Sequence, residues 1–169
     1  PCGTLFPSPT LFRSPVTLQK TISTAGRLSG KGLFGGKDVK VTFRPAEPDA
    51  GIVFVRADLN DPVRIAARAE NIAERDRRTA LRNGSVSLET PEHCLAAVHA
   101  LGIDNILIEV AGPELPGLDG SCEEYYRVLE RCGVVEQQAE RQPLAIREAI
   151  SLSDADKSIY ALPCEGEGL

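Results

Sequence analysis

The stretch from Thr90 to Gly102 constrains the fold most, because both ends of a short helix are marked in it. Thr90 is a favourable N-cap, and Pro91 suits the first helical position, where a missing N–H costs nothing. Apolar residues then recur at helical spacing until Gly102, which can adopt the left-handed conformation that ends a helix. We therefore predict a short helix with Glu92 and His93 in its first turn.

Glu92 and His93 are the residues of this helix that could act as a base or as a metal ligand. Unpaired backbone amides and the helix dipole favour an ionised carboxylate and disfavour a protonated imidazole at this end. His99, the other histidine of the chain, faces nearly the opposite way, about 240° around the helix axis from His93. A catalytic zinc site normally takes three protein ligands. His93 is therefore either a helix-start histidine without a metal, or a ligand whose partners lie beyond Leu169; His99 is interpreted as a packing residue.

Strand-like runs separated by Gly, Pro, Asn and Asp flank this helix. The predicted strands are residues 16–25, 38–44, 51–56, 63–67, 79–82, 85–88 and 104–110. The second and third are expected to form a hairpin, and Asn83-Gly84 predicts a tight turn between the strands on either side of it. A second helix is expected from Ser121, which can cap it, to Gly133.

Two stretches could bind phosphate groups, although a structural role is favoured for both. Residues 26–36 contain five glycines and Lys31, but their spacing matches neither a Walker loop nor G-x-G-x-x-G, so we predict a flexible loop between strands. Arg75, Arg77 and Arg78 could hold a phosphorylated substrate, whereas a solvated loop is the simpler interpretation.

Composition narrows the class of protein. The 169 residues suffice for one domain with a core, and 42% hydrophobic residues are typical of a folded chain. The net charge of -5, from 19 basic and 24 acidic residues, argues against a broad nucleic-acid or membrane surface. Because the sequence shows no membrane-spanning run and no signal peptide, and its five scattered cysteines form no C-x-x-C pair, we expect a cytoplasmic protein with reduced thiols.

Changes in composition suggest how the chain is divided. The predicted divisions are a non-native or disordered leader (1–14), a first α+β domain (15–136), a polar linker (137–142) and the opening strands of an incomplete second domain (143–169). In the last division, residues 144–150 and 158–162 are predicted to form a hairpin through a turn at 154–157. A lone hairpin is only marginally stable in water, so these strands are expected to need partners.

Two adjacent motifs resemble a known family. They are T-P-E-H-C-L-A-A-V-H-A-L-G-I-D-N at residues 90–105 and G-P-E-L-P-G-L-D-G-S at residues 112–121. They are similar to the zinc-dependent UDP-3-O-acyl-N-acetylglucosamine deacetylases of lipid A biosynthesis, and the similarity extends from Gln19 to about Leu162. The resemblance implies an α+β two-layer sandwich, a mostly antiparallel sheet with two helices on one face, followed by a second similar domain that is truncated here.

The same resemblance implies roles for individual residues. Glu92 matches the general base, and His93 matches the first ligand of the zinc cofactor. The other ligands, a histidine and an aspartate, match no residue of this chain and belong to the family's second domain. Asp119 matches a loop position, and we assign it to holding that loop through side-chain hydrogen bonds.

The resemblance also implies partners and an activity. The activity is hydrolysis of the N-acetyl group of a small-molecule substrate, an acylated UDP-N-acetylglucosamine. The full-length protein is expected to be a monomer that binds no nucleic acid and has no membrane span. We expect this chain alone to be inactive, because it carries one of three metal ligands. The alternative is a non-catalytic binding or regulatory module of the same fold; an H-x-x-x-D pair downstream of Leu169 would favour the enzyme, and an immediate stop codon the module.

Overall fold

The computed structural model describes residues 17–75, 78–142 and 144–163, which contain twelve strands and two helices. In chain order the elements are β1 Leu18–Ile22, β2 Gly26–Lys31, β3 Asp38–Pro45, β4 Ile52–Arg56, β5 Val63–Ala66, β6 Ile72–Ala73, β7 Ala80–Asn83, β8 Val86–Glu89, α1 Glu92–Ala100, β9 Ile106–Val110, α2 Glu123–Arg131, β10 Val134–Glu140, β11 Ile150–Asp154 and β12 Lys157–Ala161.

The main sheet has five strands in the order β2-β3-β9-β4-β5, and all neighbouring pairs are antiparallel except β4 and β9. Along β3, Val39, Val41 and Phe43 are buried, whereas Lys40 and Arg44 are exposed. This alternation places one face of the sheet on the core and leaves the other in solvent. The predicted α+β class, with a mostly antiparallel sheet, is confirmed.

The predicted hairpin of residues 38–44 and 51–56 is wrong, because β9 lies between β3 and β4. Ile106, Ile108 and Val110 of β9 are fully buried, as suits a central strand. Parallel pairing of β4 with β9 requires a long crossover, and the intervening chain, which includes α1, provides it. α1 therefore lies on the crossover that leads into β9, the central strand of the sheet.

The first half of the glycine-rich stretch is a strand rather than a loop. β2 pairs with β3 along its whole length. A Cβ at Gly26 would overlap the Cys132 Sγ that follows α2, and one at Gly30 would come within 2.9 Å of Pro116. These glycines therefore serve close packing, and only residues 32–37 form a loop.

Both helices pack on the same core. The buried core residues include Ala97 and Val98 of α1, Leu129 of α2 and Phe54 of β4. The Tyr125 ring of α2 meets the Phe43 ring edge to face, with 6.5 Å between centroids. The two helices end as predicted, at Gly102 (φ 63°) and Gly133 (φ 71°).

The remaining strands form smaller sheets. One contains β6, β7 and β8, and the predicted turn between β7 and β8 is confirmed, with Gly84 at φ 58°.

Residues 137–140, which were expected in a linker, belong to β10, the strand that pairs with β1. The predicted hairpin after them is confirmed, but its first strand is 150–154 rather than 144–150. The positions of the domain boundaries remain a prediction.

Residues 1–14, the predicted leader, lie outside the described residues. In the part of the chain that the structure describes, no helix has the length and apolar character needed to cross a membrane.

A buried amide cluster ties the outer strands to the main sheet. The Asn105 side chain is 1% exposed, and its Nδ2 donates to Gln19 Oε1 and Gln137 Oε1, both at 2.7 Å. Its Oδ1 accepts the Gly51 amide at 2.8 Å. One side chain thus connects β1, β10 and the approach to β4.

We predict that Asn105→Ala lowers the free energy of unfolding by about 3 kcal/mol, because it leaves buried donors and acceptors without partners. Urea denaturation at unchanged m value measures this loss. Asn83→Ala is the matched control, since exposed Asn83 makes one hydrogen bond, to Arg64 O. Equal losses for the two variants would contradict the structural role of Asn105.

Candidate functional site

The backbone is strained immediately before α1. Thr90 is buried and has φ 56°, an uncommon value for a β-branched residue. Its hydroxyl donates to Glu89 O at 2.8 Å and Leu115 O at 3.2 Å, so the prediction that Thr90 caps the helix is wrong. Pro91 has helical φ and ψ, as expected, and its carbonyl accepts the Leu95 amide. Strain of this kind costs about 1–3 kcal/mol and clusters at functional sites.

Glu92, the candidate base, begins α1 with a carboxylate oxygen that has no partner. Its Oε2 is buried and makes no hydrogen bond within the described residues. Such an acceptor normally carries a desolvation cost, so a native example calls for an explanation. The carboxylate is close enough to Tyr125 that, after burial, its charge is one of the causes that raise the pKa of that phenol.

His93, the candidate metal ligand, follows in the same turn and is half-buried. The charge of His93 contributes to lowering the pKa of Asp119, after the hydrogen bonds that Asp119 accepts from Ser121. Those bonds are Ser121 N and Oγ to Asp119 Oδ1, at 2.9 and 2.8 Å. The predicted role of Asp119 in holding its loop is therefore confirmed, and the loop lies within electrostatic range of His93.

The segment 113–116 lies against the end of β8, just before α1. Glu89 N donates to Pro113 O at 2.8 Å, and Leu115 N donates to Glu89 O at 3.1 Å. The Tyr125 hydroxyl donates to Pro116 O at 2.7 Å. Hydrogen bonds therefore connect this segment to the end of β8 on one side and to α2 on the other.

Two arginines of the predicted phosphate cluster make structural ion pairs. Arg75 Nε and Arg78 Nε lie 3.0 and 2.7 Å from the two oxygens of Glu89. The Arg78 guanidinium also stacks over the Phe34 ring, at 4.2 Å from its centroid. These contacts support the structural interpretation of the cluster; Arg77 lies outside the described residues.

A buried arginine fixes β8 against the main sheet. Arg56 is 8% exposed and makes a bidentate pair with Asp58, with both distances at 2.9 Å. Its Nη1 also donates to Ser87 O at 2.6 Å. Because β8 leads through Thr90 into α1, this pair helps to set the position of the helix start.

The structure brings Glu92, His93 and Asp119 to one region, whereas His99 lies exposed in the last turn of α1. Among the residues in ranges 17–75, 78–142 and 144–163, no three His, Cys, Asp or Glu side chains are grouped to hold a metal ion. Sequence reasoning missed the contributions of Tyr125 and Glu114. Their hydrogen bonds reach other elements, and no local pattern indicated them.

Comparison with known proteins gives this arrangement a context. The family profile described as LpxC, UDP-3-O-acyl N-acetylglycosamine deacetylase, matches residues 19–169. A UDP-3-O-acyl-N-acetylglucosamine deacetylase of Myxococcus xanthus is 43% identical over 131 residues, and one of Saccharophagus degradans is 42% identical over 134 residues. A deacetylase of the same name from Coxiella burnetii is 37% identical over 131 residues.

These alignments cover most of this chain but less than half of each relative. They include 78%, 79% and 78% of the chain, against 42%, 44% and 43% of the three relatives. The chain therefore spans less than half the length of the relatives it matches.

The Glu89 ion pairs predict a dependence of stability on acidic pH. Burial raises the pKa of Glu89, but hydrogen bonds and charges from Arg78 and Arg75 outweigh it, so the pKa lies below its ordinary value. As pH falls, the unfolded chain takes up this proton first, which favours unfolding. Glu89 therefore contributes stability above about pH 4.3, the ordinary value for Glu, and loses it as pH falls through its folded pKa.

We expect Glu89→Gln to flatten the fall in unfolding free energy below about pH 4.3, as measured by urea denaturation at stepped pH. Some slope remains, because Arg56 also lowers the pKa of Asp58. Glu70→Gln is the control, since Glu70 forms only an exposed pair with Arg68 at 3.9 Å. A Glu89→Gln profile as steep as that of the unmodified chain would rule out this contribution.

Proposed function

Because the chain belongs to the UDP-3-O-acyl-N-acetylglucosamine deacetylase family, we propose that it supplies half of the active site of such an enzyme. In this proposal it is the N-terminal part of a longer cytoplasmic protein that is monomeric at full length. The supporting observation is the buried Oε2 of Glu92, which has no hydrogen-bond partner among the described residues and lies in the same helical turn as half-buried His93.

Glu92 is the proposed general base. Its buried Oε2 has no donor among the described residues and is available to accept a proton from water. The water oxygen bonds to the acetamide carbonyl carbon, the C–N bond breaks, and the proton that Glu92 took from water passes to the leaving nitrogen. The products are a free amine on the sugar and acetic acid, which ionises to acetate.

His93 is the proposed metal ligand of this chain. An imidazole suits zinc, which takes three protein ligands at a catalytic site. His93 is half-buried, and no three His, Cys, Asp or Glu side chains are grouped to hold a metal within the described residues, so the donor set present here fits part of a zinc site rather than a whole one. When bound, zinc supplies a Lewis acid that polarises the carbonyl and lowers the pKa of water.

Thr90 and Tyr125 would keep Glu92 in place for this reaction. Both donate their hydroxyl hydrogens to carbonyls of segment 113–116, at Leu115 and Pro116. Burial raises the pKa of Tyr125 well above its ordinary value, so its hydroxyl remains a donor throughout the neutral range. Thr90, just before α1, and the first turn of α2 are thus tied to the same segment.

We predict that the full-length protein deacetylates UDP-3-O-acyl-N-acetylglucosamine and that Glu92→Gln lowers its kcat by about 10²–10⁴-fold, because the base is lost. Release of acetate measures the rate. His99→Ala, on the exposed far side of α1, is expected to leave kcat unchanged. The 169-residue chain alone is expected to release no acetate.

Full activity of Glu92→Gln would overturn the role of Glu92. A full-length wild-type protein that binds the substrate without releasing acetate would instead favour a non-catalytic module of the same fold.

We predict a separate result for zinc. In the full-length protein, His93→Ala is expected to reduce zinc affinity by at least about tenfold, whereas His99→Ala leaves it unchanged. Competition with a chromophoric chelator measures affinity without reference to activity. Equal affinities for the two variants would exclude His93 as a ligand. The 169-residue chain is expected to bind zinc weakly, with His93 as its one contributed ligand.

A further inference from the structure

Glu114 is a buried acid in segment 113–116 that the proposed chemistry does not use. It is 5% exposed, and its Oε1 and Oε2 accept the Phe34 and Gly35 amides, each at 2.8 Å. Two consecutive backbone amides thus face one carboxylate, an arrangement that binds anions well. The residues that this carboxylate holds belong to the glycine loop, residues 32–37.

The glycine loop is shaped to receive this carboxylate. A Cβ at Gly32 would lie 2.5 Å from Glu114 Oε2, and one at Gly35 would lie 3.1 Å from it. The loop also closes on itself, since Gly36 N donates to Gly32 O and Gly32 N donates to Lys37 O, both at 3.0 Å. The glycines at 32 and 35 therefore leave the space that the Glu114 side chain fills.

The tip of this loop carries two large apolar side chains that are more than half exposed, although Arg78 covers one face of the Phe34 ring. Leu33 is 67% exposed and Phe34 is 53% exposed, although the backbone beneath them is held at several points. Gly117 N donates to Lys31 O, and a Cβ on Gly117 would lie 3.1 Å from Leu33. Large apolar side chains on a fixed, exposed tip are typical of a surface that meets a ligand.

The backbone on either side of Glu114 is bonded to the residues that precede α1. Its neighbours Pro113 and Leu115 bond to Glu89, and Leu115 O accepts the Thr90 hydroxyl just before Glu92. The side chain of Glu114 therefore holds the glycine loop, while its neighbours hold the start of α1.

We propose that Glu114 is a positioning residue, which sets the apolar tip of the glycine loop beside the Glu92–His93 turn so that the loop contributes to substrate binding. This role rests on the proposed deacetylase function. It acts through Leu33 and Phe34 and requires no contact between Glu114 and the substrate.

The test uses the full-length protein with Glu114→Gln. An amide side chain keeps one acceptor but turns an N–H toward a backbone N–H, so one end of the loop is released. Hydrogen exchange at Phe34 and Gly35 is expected to accelerate roughly ten- to hundredfold. KM for UDP-3-O-acyl-N-acetylglucosamine is expected to rise about tenfold, with kcat changed by less than about twofold, because the chemistry at Glu92 is untouched.

A second variant weakens the same contact between Glu114 and the glycine loop in a different way. Gly32→Ala pushes the carboxylate away sterically and should reproduce the effect on KM. The double variant should be no worse than the more affected single variant, since both remove one interaction. Glu109→Gln is the matched control: Glu109 pairs with Arg44 at 2.7 Å, and its loss should change neither KM nor the two exchange rates.

The outcomes separate this inference from the proposed function. Faster exchange at Phe34 and Gly35 with unchanged KM would overturn the positioning role, and unchanged exchange would show that Glu114 does not hold the loop. An inactive wild-type protein would refute the proposed function, and with it this role, before any variant is compared.

Discussion

The backbone of segment 113–116 is the connection on which the candidate site depends. Its carbonyls and amides bond to Glu89, and its carbonyls also accept the hydroxyls of Thr90 and Tyr125. Through these hydrogen bonds it joins the end of β8, Thr90 just before α1, and the first turn of α2. A segment with prolines at both ends suits this position, because a fixed φ lowers the entropy lost on ordering it.

The strain at Thr90 and the lone oxygen of Glu92 are best explained together. Each is unfavourable: a β-branched residue at φ 56° costs energy, and so does a buried acceptor without a donor. Both occur at the same helix start, while the packing around them is close and apolar, with Ala97 and Val98 fully buried. The fold therefore holds two unfavourable features together at one helix start, which agrees with the proposed role of Glu92 as a base.

Local signals predicted the parts of this fold that depend on neighbours in sequence. Pro91 and Gly102 marked α1 nearly to the residue, and Asn83-Gly84 marked the β7–β8 turn. The insertion of β9 between β3 and β4 was missed, because the strand arrives from a distant part of the chain and only burial on the shared face selects it. The same limit applies to the site: Glu92 and His93 stand in a recognisable motif, whereas the ties of Glu114 reach residues about eighty positions away.

In the proposed enzyme, metal binding and folding stability are expected to be largely separate. The core, which includes Phe43 and Tyr125, is held together by apolar packing, and the Asn105 cluster ties the outer strands to it. None of these contacts needs a metal. Small metal-dependent domains behave differently, because the free energy of metal binding supplies the free energy that folds them. In the proposed enzyme, His93 is presented on a helix that begins just after Thr90, which is already tied to Leu115 O, so a ligand pair from elsewhere in the protein would meet a preorganised partner. The ordering cost of binding zinc would then fall mainly on the part of the protein that supplies the other ligands.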